Sequence, residues 1–222
     1  MRRRGRFVMA VFLALAGMTF GTVRASGETM TRSEIIDKIE TSGLEVEINS
    51  ILGLELGRPS DFVGDEYGIE PEGSQRFAMD GSGGTFNLLS DGRILLIDSE
   101  GGFGVVASDF NEFVAMGTGL PGWQDALKFV GEPDLAKARA AWAAYVQKWG
   151  LDNGMDAPWP FAGVEDYSVA TPGAARQAIR ARLGVEVAAD PFAMLHRAVN
   201  ELNGDVRVSW QGEPLRPFGR RR

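Results

Sequence analysis

Residues 77–113 read FAMDGSGGTFNLLSDGRILLIDSEGGFGVVASDFNEF, short apolar runs cut at regular intervals by glycine-containing turns. Phe86 and Leu88 alternate with Thr85 and Asn87, the period-two pattern of a strand with two different faces. Asp91-Gly92 supplies a pair that tolerates the positive φ of a tight type I′ turn, and Arg93 to Ile97 returns as the next strand. A second turn at Glu100-Gly101-Gly102 sends Phe103 to Ala107 back again. Asp109, with Glu112 three residues on, then caps a short helix that carries Phe110, Phe113 and Val114 on one face. The stretch predicts an antiparallel β-meander over residues 76–107, backed by helices at 109–117 and 133–149.

Outside the meander the pattern is mostly helical, so the fold class is α+β: a meander sheet packed against several helices, with a helical C-terminal extension. Thr31 and Glu34 form a capping box for a helix over 31–43, with Ile35, Ile36 and Ile39 as its apolar stripe. Residues 44–72 contain Pro59, Gly64, Gly68 and Pro71 and read as short turns. From Pro133 to Trp149 the residues Leu135, Ala138, Trp142, Tyr145, Val146 and Trp149 recur at intervals of three and four, which puts both tryptophans on one face. Asn153 to Thr171 reads as a loop. Helices follow at 172–183 and 191–202, each with proline at its first position. Val206 to Trp210 adds an edge strand, and the chain frays from Pro214.

The pieces in this order resemble the SUKH superfamily: strand, Asp80-Gly81-Ser82-Gly83-Gly84, strand, Asp91-Gly92, strand, Asp98-Ser99-Glu100-Gly101, strand, then the phenylalanine-bearing helix 109–114. Leu120-Pro121-Gly122-Trp123-Gln124-Asp125-Ala126-Leu127-Lys128-Phe129 is similar to the leucine-proline-aromatic helix that follows in many bacterial members. The match covers roughly residues 31–150. Those members are largely immunity proteins against secreted toxins, so the resemblance implies a cytoplasmic, non-enzymatic protein that neutralises a toxin by direct contact.

The N-terminus points elsewhere. Arg2, Arg3, Arg4 and Arg6 precede an apolar run from Phe7 to Val23, and Val23-Arg24-Ala25 offers small or apolar residues where a signal peptidase reads. Residues 1–25 thus predict a signal peptide and an exported, periplasmic or extracellular protein. The run of about 17 residues is marginal for a membrane span, which needs roughly 20, so an uncleaved anchor is the lesser reading beside a cleaved signal. A second reading starts translation at Met30, leaves the protein cytoplasmic and makes the preceding residues an upstream extension.

Charge bounds the partner. The formal charge is −7, but five arginines lie in residues 1–25 and four in residues 216–222, two segments without acids. Residues 26–215 therefore carry −16. Such a body repels nucleic acid and anionic lipid and attracts a basic protein. The 44% hydrophobic content over 222 residues suffices for one good core and a small appendage. The sequence therefore divides into the leader, an α+β domain at 31–150 and a loop, helical extension and basic tail at 151–222.

Catalytic chemistry is hard to assemble from these residues. There is no cysteine for a thiolate nucleophile or thiolate zinc site, and His196 is the single histidine, which rules out the usual multi-histidine zinc sets. Ser82 has glycines on both sides, whereas a nucleophile elbow needs them two residues away; the glycines predict a turn. Asp80, Asp91, Asp98, Glu100 and Asp109 cluster at turns, where aspartate bonds its own backbone, and none has the spacing of a calcium loop. The sequence nominates no catalytic, metal or cofactor-binding residue and implies no cofactor. For partner contact it nominates Asp80, Asp98 and Glu100, with Trp159, between Pro158 and Pro160, as an exposed apolar anchor. Three functions remain: an immunity-type inhibitor of a basic toxin, a regulatory or adaptor scaffold of the same fold, and an exported hydrolase working through carboxylates.

Overall fold

The computed structural model describes residues 29–57, 67–151, 155–159 and 167–219. Two helices come first, α1 (Arg32–Glu40) and α2 (Glu45–Leu52). Strands β1 (Tyr67–Glu70), β2 (Gln75–Met79), β3 (Thr85–Leu88), β4 (Ile94–Ile97) and β5 (Gly102–Ala107) follow. Helices α3 (Phe110–Gly119), α4 (Trp123–Val130), α5 (Leu135–Trp149), α6 (Pro172–Leu183) and α7 (Pro191–Glu201) lead to strands β6 (Arg207–Trp210), β7 (Glu213–Pro214) and β8 (Arg216–Pro217). The class is α+β. The signal-like residues 1–25 lie outside the described residues.

The meander pairs β2, β3, β4 and β5 in sequence, all antiparallel, with Phe86 opposite Leu96 and Leu96 opposite Gly104. Its alternation feeds two apolar layers. Phe77, Phe86, Leu88, Ile94 and Leu96 join the helices in the main core, whereas Leu95, Ile97, Phe103 and Val105 belong to a second cluster with Val206, Val208, Tyr67 and Ile69. The main layer is built on aromatic contacts: Phe86 lies 5.5 Å from Phe113, which meets Trp123 edge-on at 5.4 Å. Each such pair adds about 1 kcal/mol beyond area burial.

The second layer corrects the expectation for residues 206–210. They form β6, which pairs not with the meander but with β1 and β7 in a separate three-stranded sheet. This small sheet covers the face of the meander opposite the helices, which is why Ile94-Leu95-Leu96-Ile97 is buried at all four positions. A strand apolar on both faces signals cover on both.

Other departures share a cause: tertiary packing supplies what local propensity lacks. Residues 45–52, expected as turns, form α2, which buries Ile48, Ile51 and Leu52 and ends on Gly53. The segment from Pro214, expected to fray, forms β7 and then β8, which runs parallel to β5, with Gly102 opposite Arg216. Helix α5 packs on α4 and α7 rather than backing the sheet. The Asp91-Gly92 turn is not type I′: the Gly92 amide donates to the Leu89 carbonyl (2.9 Å), so Ser90 and Asp91 are the central residues and Gly92 alone takes positive φ, at 92°. The C-terminal helices share the main core through Ala175, Ile179, Leu183, Phe192, Leu195 and Val199. Arg176 of α6 reaches the end of α3 and donates to the Gly117 and Thr118 carbonyls at 2.9 and 3.0 Å. There it meets the negative pole of the helix. Burial, and to a lesser degree Arg180, lowers its pKa to about 10.

Candidate functional site

The β2–β3 and β4–β5 connections lie at the same end of the meander, and both have the sequence Asp-x-x-Gly-Gly: Asp80 to Gly84 and Asp98 to Gly102. They are the same loop. In each, the first residue's amide donates to the carbonyl of the fifth (2.9 and 2.8 Å), and the fourth residue's amide returns a bond of 3.2 Å to the first carbonyl. The fourth position needs positive φ, 96° at Gly83 and 82° at Gly101. This is a type I turn closed by a left-handed residue. The aspartate ties the loop from within. Asp80 Oδ1 accepts from the Ser82 amide and hydroxyl (2.9 Å each) and the Gly84 amide (2.6 Å); Asp98 Oδ1 accepts from the Glu100 and Gly102 amides at 3.0 and 2.6 Å. The other carboxylate oxygen fills the space where the fifth residue would carry its β-carbon, 2.7 Å away at Gly102, so that residue too must be glycine.

Three of the sequence-nominated residues, Asp80, Asp98 and Glu100, thus come together on two rigid loops. Ser99 bonds Ser82 between the loops at 3.4 Å. With Gln124, Asp125, Leu127, Lys128, Phe218 and Gly219 the loops line an open cleft of about 410 Å³. Asp125 is neutralised by Lys128 at 2.5 Å. No cation among the described residues pairs with Asp80, Asp98 or Glu100. Burial raises the Asp98 pKa against the pull of its two amide donors, and the charges of Glu100 and Asp80 push it the same way. Carboxylates held without a counter-charge attract cationic groups.

Trp159, nominated as an exposed anchor, is instead 8% exposed. Its indole N–H donates to the Val169 carbonyl at 2.8 Å, and its ring stacks on Tyr167 at 4.1 Å, whose hydroxyl bonds Ser50. The prolines mark a loop but not where the loop docks, and a satisfied indole N–H removes the cost of burial. The reverse correction applies to Trp149, read as sharing a buried face with Trp142: it is 60% exposed. His196 is packed in α7 with Nε2 2.8 Å from the Glu132 carbonyl, far in sequence from the acidic loops. Ser82 serves its own turn.

The paired loop was legible as the motif Asp-x-x-Gly-Gly occurring twice, eighteen residues apart. Reading the aspartates and the glycines as separate turn signals hid the repetition. Among the described residues no group of three or more histidine, aspartate or glutamate side chains is arranged to hold a metal ion, and no helix is long and apolar enough to cross a membrane. No family model matches the chain, and no curated protein or solved structure is similar to it.

Proposed function

We propose that the chain is a non-enzymatic binding protein that meets a basic protein partner with the acidic end of its meander, acting as an immunity-type inhibitor of a cationic toxin. The observation that carries this reading is the pair of Asp-x-x-Gly-Gly loops, which hold Asp80, Asp98 and Glu100 at one cleft with no cation among the described residues to neutralise them. The −16 of residues 26–215 supplies long-range attraction, and the order of strands, turns and helix that resembles the SUKH superfamily supplies the immunity role. A regulatory scaffold would use the same surface and differ in its partner. Export with cleavage after Ala25 would place the encounter in the cell envelope; the mass of the mature N-terminus separates this from a start at Met30.

The test is the association rate with the basic protein that co-purifies from the native host. It should fall as salt rises, since exposed charges are screened over about 8–10 Å near physiological ionic strength. Glu100→Lys should lower it further, while Glu72→Lys, exposed just before β2 at the other end of the meander, should leave it nearly unchanged. A rate indifferent to both salt and Glu100→Lys would refute the proposal. One observation favours a hydrolase: burial raises the pKa of Asp98, the direction a general acid needs, and Asp98 lies at the same cleft as Asp80. Against it, Oδ1 of each aspartate is already committed to its loop. A hydrolytic activity abolished by Asp98→Asn with the fold intact would establish that alternative.

A further inference from the structure

Residues 216–219 extend the edge of the meander. Arg216 and Pro217 add to the open edge of β5 as a parallel strand only two residues long, and the Phe218 amide donates to the Phe103 carbonyl at 2.7 Å. The Phe218 ring then lies flat on β5 over Gly102 and Gly104. A β-carbon at Gly104 would come within 2.7 Å of the ring, and one at Gly102 within 2.9 Å. Neither glycine has positive φ, so what they provide is room. Gly219 follows and packs backbone to backbone against Gly131 at the end of α4. Phe218 and Gly219 also form part of the wall of the acidic cleft. The next three residues in sequence are Arg220, Arg221 and Arg222.

A strand edge covered by only two ladder residues, a seat for one aromatic ring, a glycine-only passage and an acidic cleft in succession describe a groove for an extended peptide. We infer that the β5 edge and the adjoining cleft form a binding site for an extended segment with the pattern proline, aromatic, glycine, then arginines, and that residues 216–219 are the resident, displaceable occupant of its strand edge and ring seat. This rests on the proposed function in one respect: a basic partner would enter by offering such a segment in place of the tail. A two-residue ladder holds little of the folding energy, so exchange at this edge does not require the core to open.

The probe is the synthetic peptide of residues 216–222, titrated into the full-length protein and into its Phe218→Ala variant. A short tether holds the native tail at an effective concentration on the order of millimolar, so a peptide with a dissociation constant of about 0.1 mM should bind the variant about tenfold more tightly than the parent. Adding Gly104→Val, which fills the seat, should abolish that gain, and a peptide with serines for its three arginines should bind with little salt dependence. Equal binding to parent and variant, or no binding to a folded variant, would overturn the inference. If Phe218→Ala fails to fold, restoration of its melting transition by the peptide supports the site and failure to restore it counts against it. The two readings separate cleanly. Should Glu100→Lys weaken the basic protein partner while Phe218→Ala does not strengthen the peptide, the groove falls and the acidic surface stands; the converse pattern leaves the groove and removes the acidic surface.

Discussion

The two ends of the meander are built from the same five-residue loop and have opposite electrostatics. At one end, Leu89 to Arg93 makes the same pair of backbone bonds and places Gly92 at positive φ, but its first residue is leucine and its fifth is arginine. Arg93 is 12% exposed and neutralises Asp91 at 2.7 Å and Asp205 through two bonds of 2.7 Å. That end is closed. At the other end the first residue is aspartate and the fifth is glycine, twice, and no cation among the described residues pairs with the carboxylates. Backbone geometry is therefore common to all three turns, and two positions in five decide whether a turn seals the sheet or presents charge.

The comparison can be broken by moving those positions. Gly84→Ala should have the largest effect, a loss of about 3 kcal/mol in urea melts, because a β-carbon there meets the Asp80 carboxylate and comes within 2.9 Å of the Ile97 carbonyl, and backbone cannot step aside. Arg93→Ala should cost about 1–2 kcal/mol, chiefly by leaving the half-buried Leu202 carbonyl without its donor, since the exposed Asp205 turns to water. Gly92→Val should cost about 1 kcal/mol or more, from a β-branched residue at positive φ that also presses on Thr29; a variant melting like its parent would show the turn is misassigned.

Asp98→Asn should be the mildest and carry the opposite sign. The folded pKa is raised above the usual 3.8, so the ionised carboxylate costs stability once pH exceeds that raised value. Below 3.8 the carboxyl is protonated folded and unfolded alike, and the cost is absent. Asparagine keeps an Oδ1 acceptor for the Glu100 and Gly102 amides. Thermal melts of the variant should lie above the parent near neutral pH, with the gap closing as pH falls below 4; a variant less stable throughout would mean that the loop needs the charge.

Much of this was readable before the structure. The strands from Phe77 to Ala107, the Asp109 cap and the helices at 172 and 191 follow from local signals that tertiary contacts reinforce. The second sheet was not, because β1 and β6 are separated by more than a hundred residues and each is too short to assert itself. Its trace was the run Ile94 to Ile97, apolar on both faces, which demanded a cover the meander alone could not give. The tail was misread for the same reason: Arg216 to Gly219 has no propensity to form anything, and it is ordered by the two glycines of β5 that accept Phe218. Asp80 and Asp98 were legible as turn formers, which their bonds to the loop amides bear out, but their meeting with Glu100 at one cleft depends on both hairpins closing at one end of the sheet.

The asymmetry between the two ends is tested most directly by NMR titration of the side-chain carboxyl carbons of Asp98 and Asp205 in the same sample. Asp98 should titrate above 3.8, raised by burial and by the Glu100 and Asp80 charges, and Asp205 below 3.8, held down chiefly by its hydrogen bonds from Arg93. Finding Asp98 at or below Asp205 would mean that a cation already serves the Asp-x-x-Gly-Gly end, and the case for a charge-presenting site there would be lost.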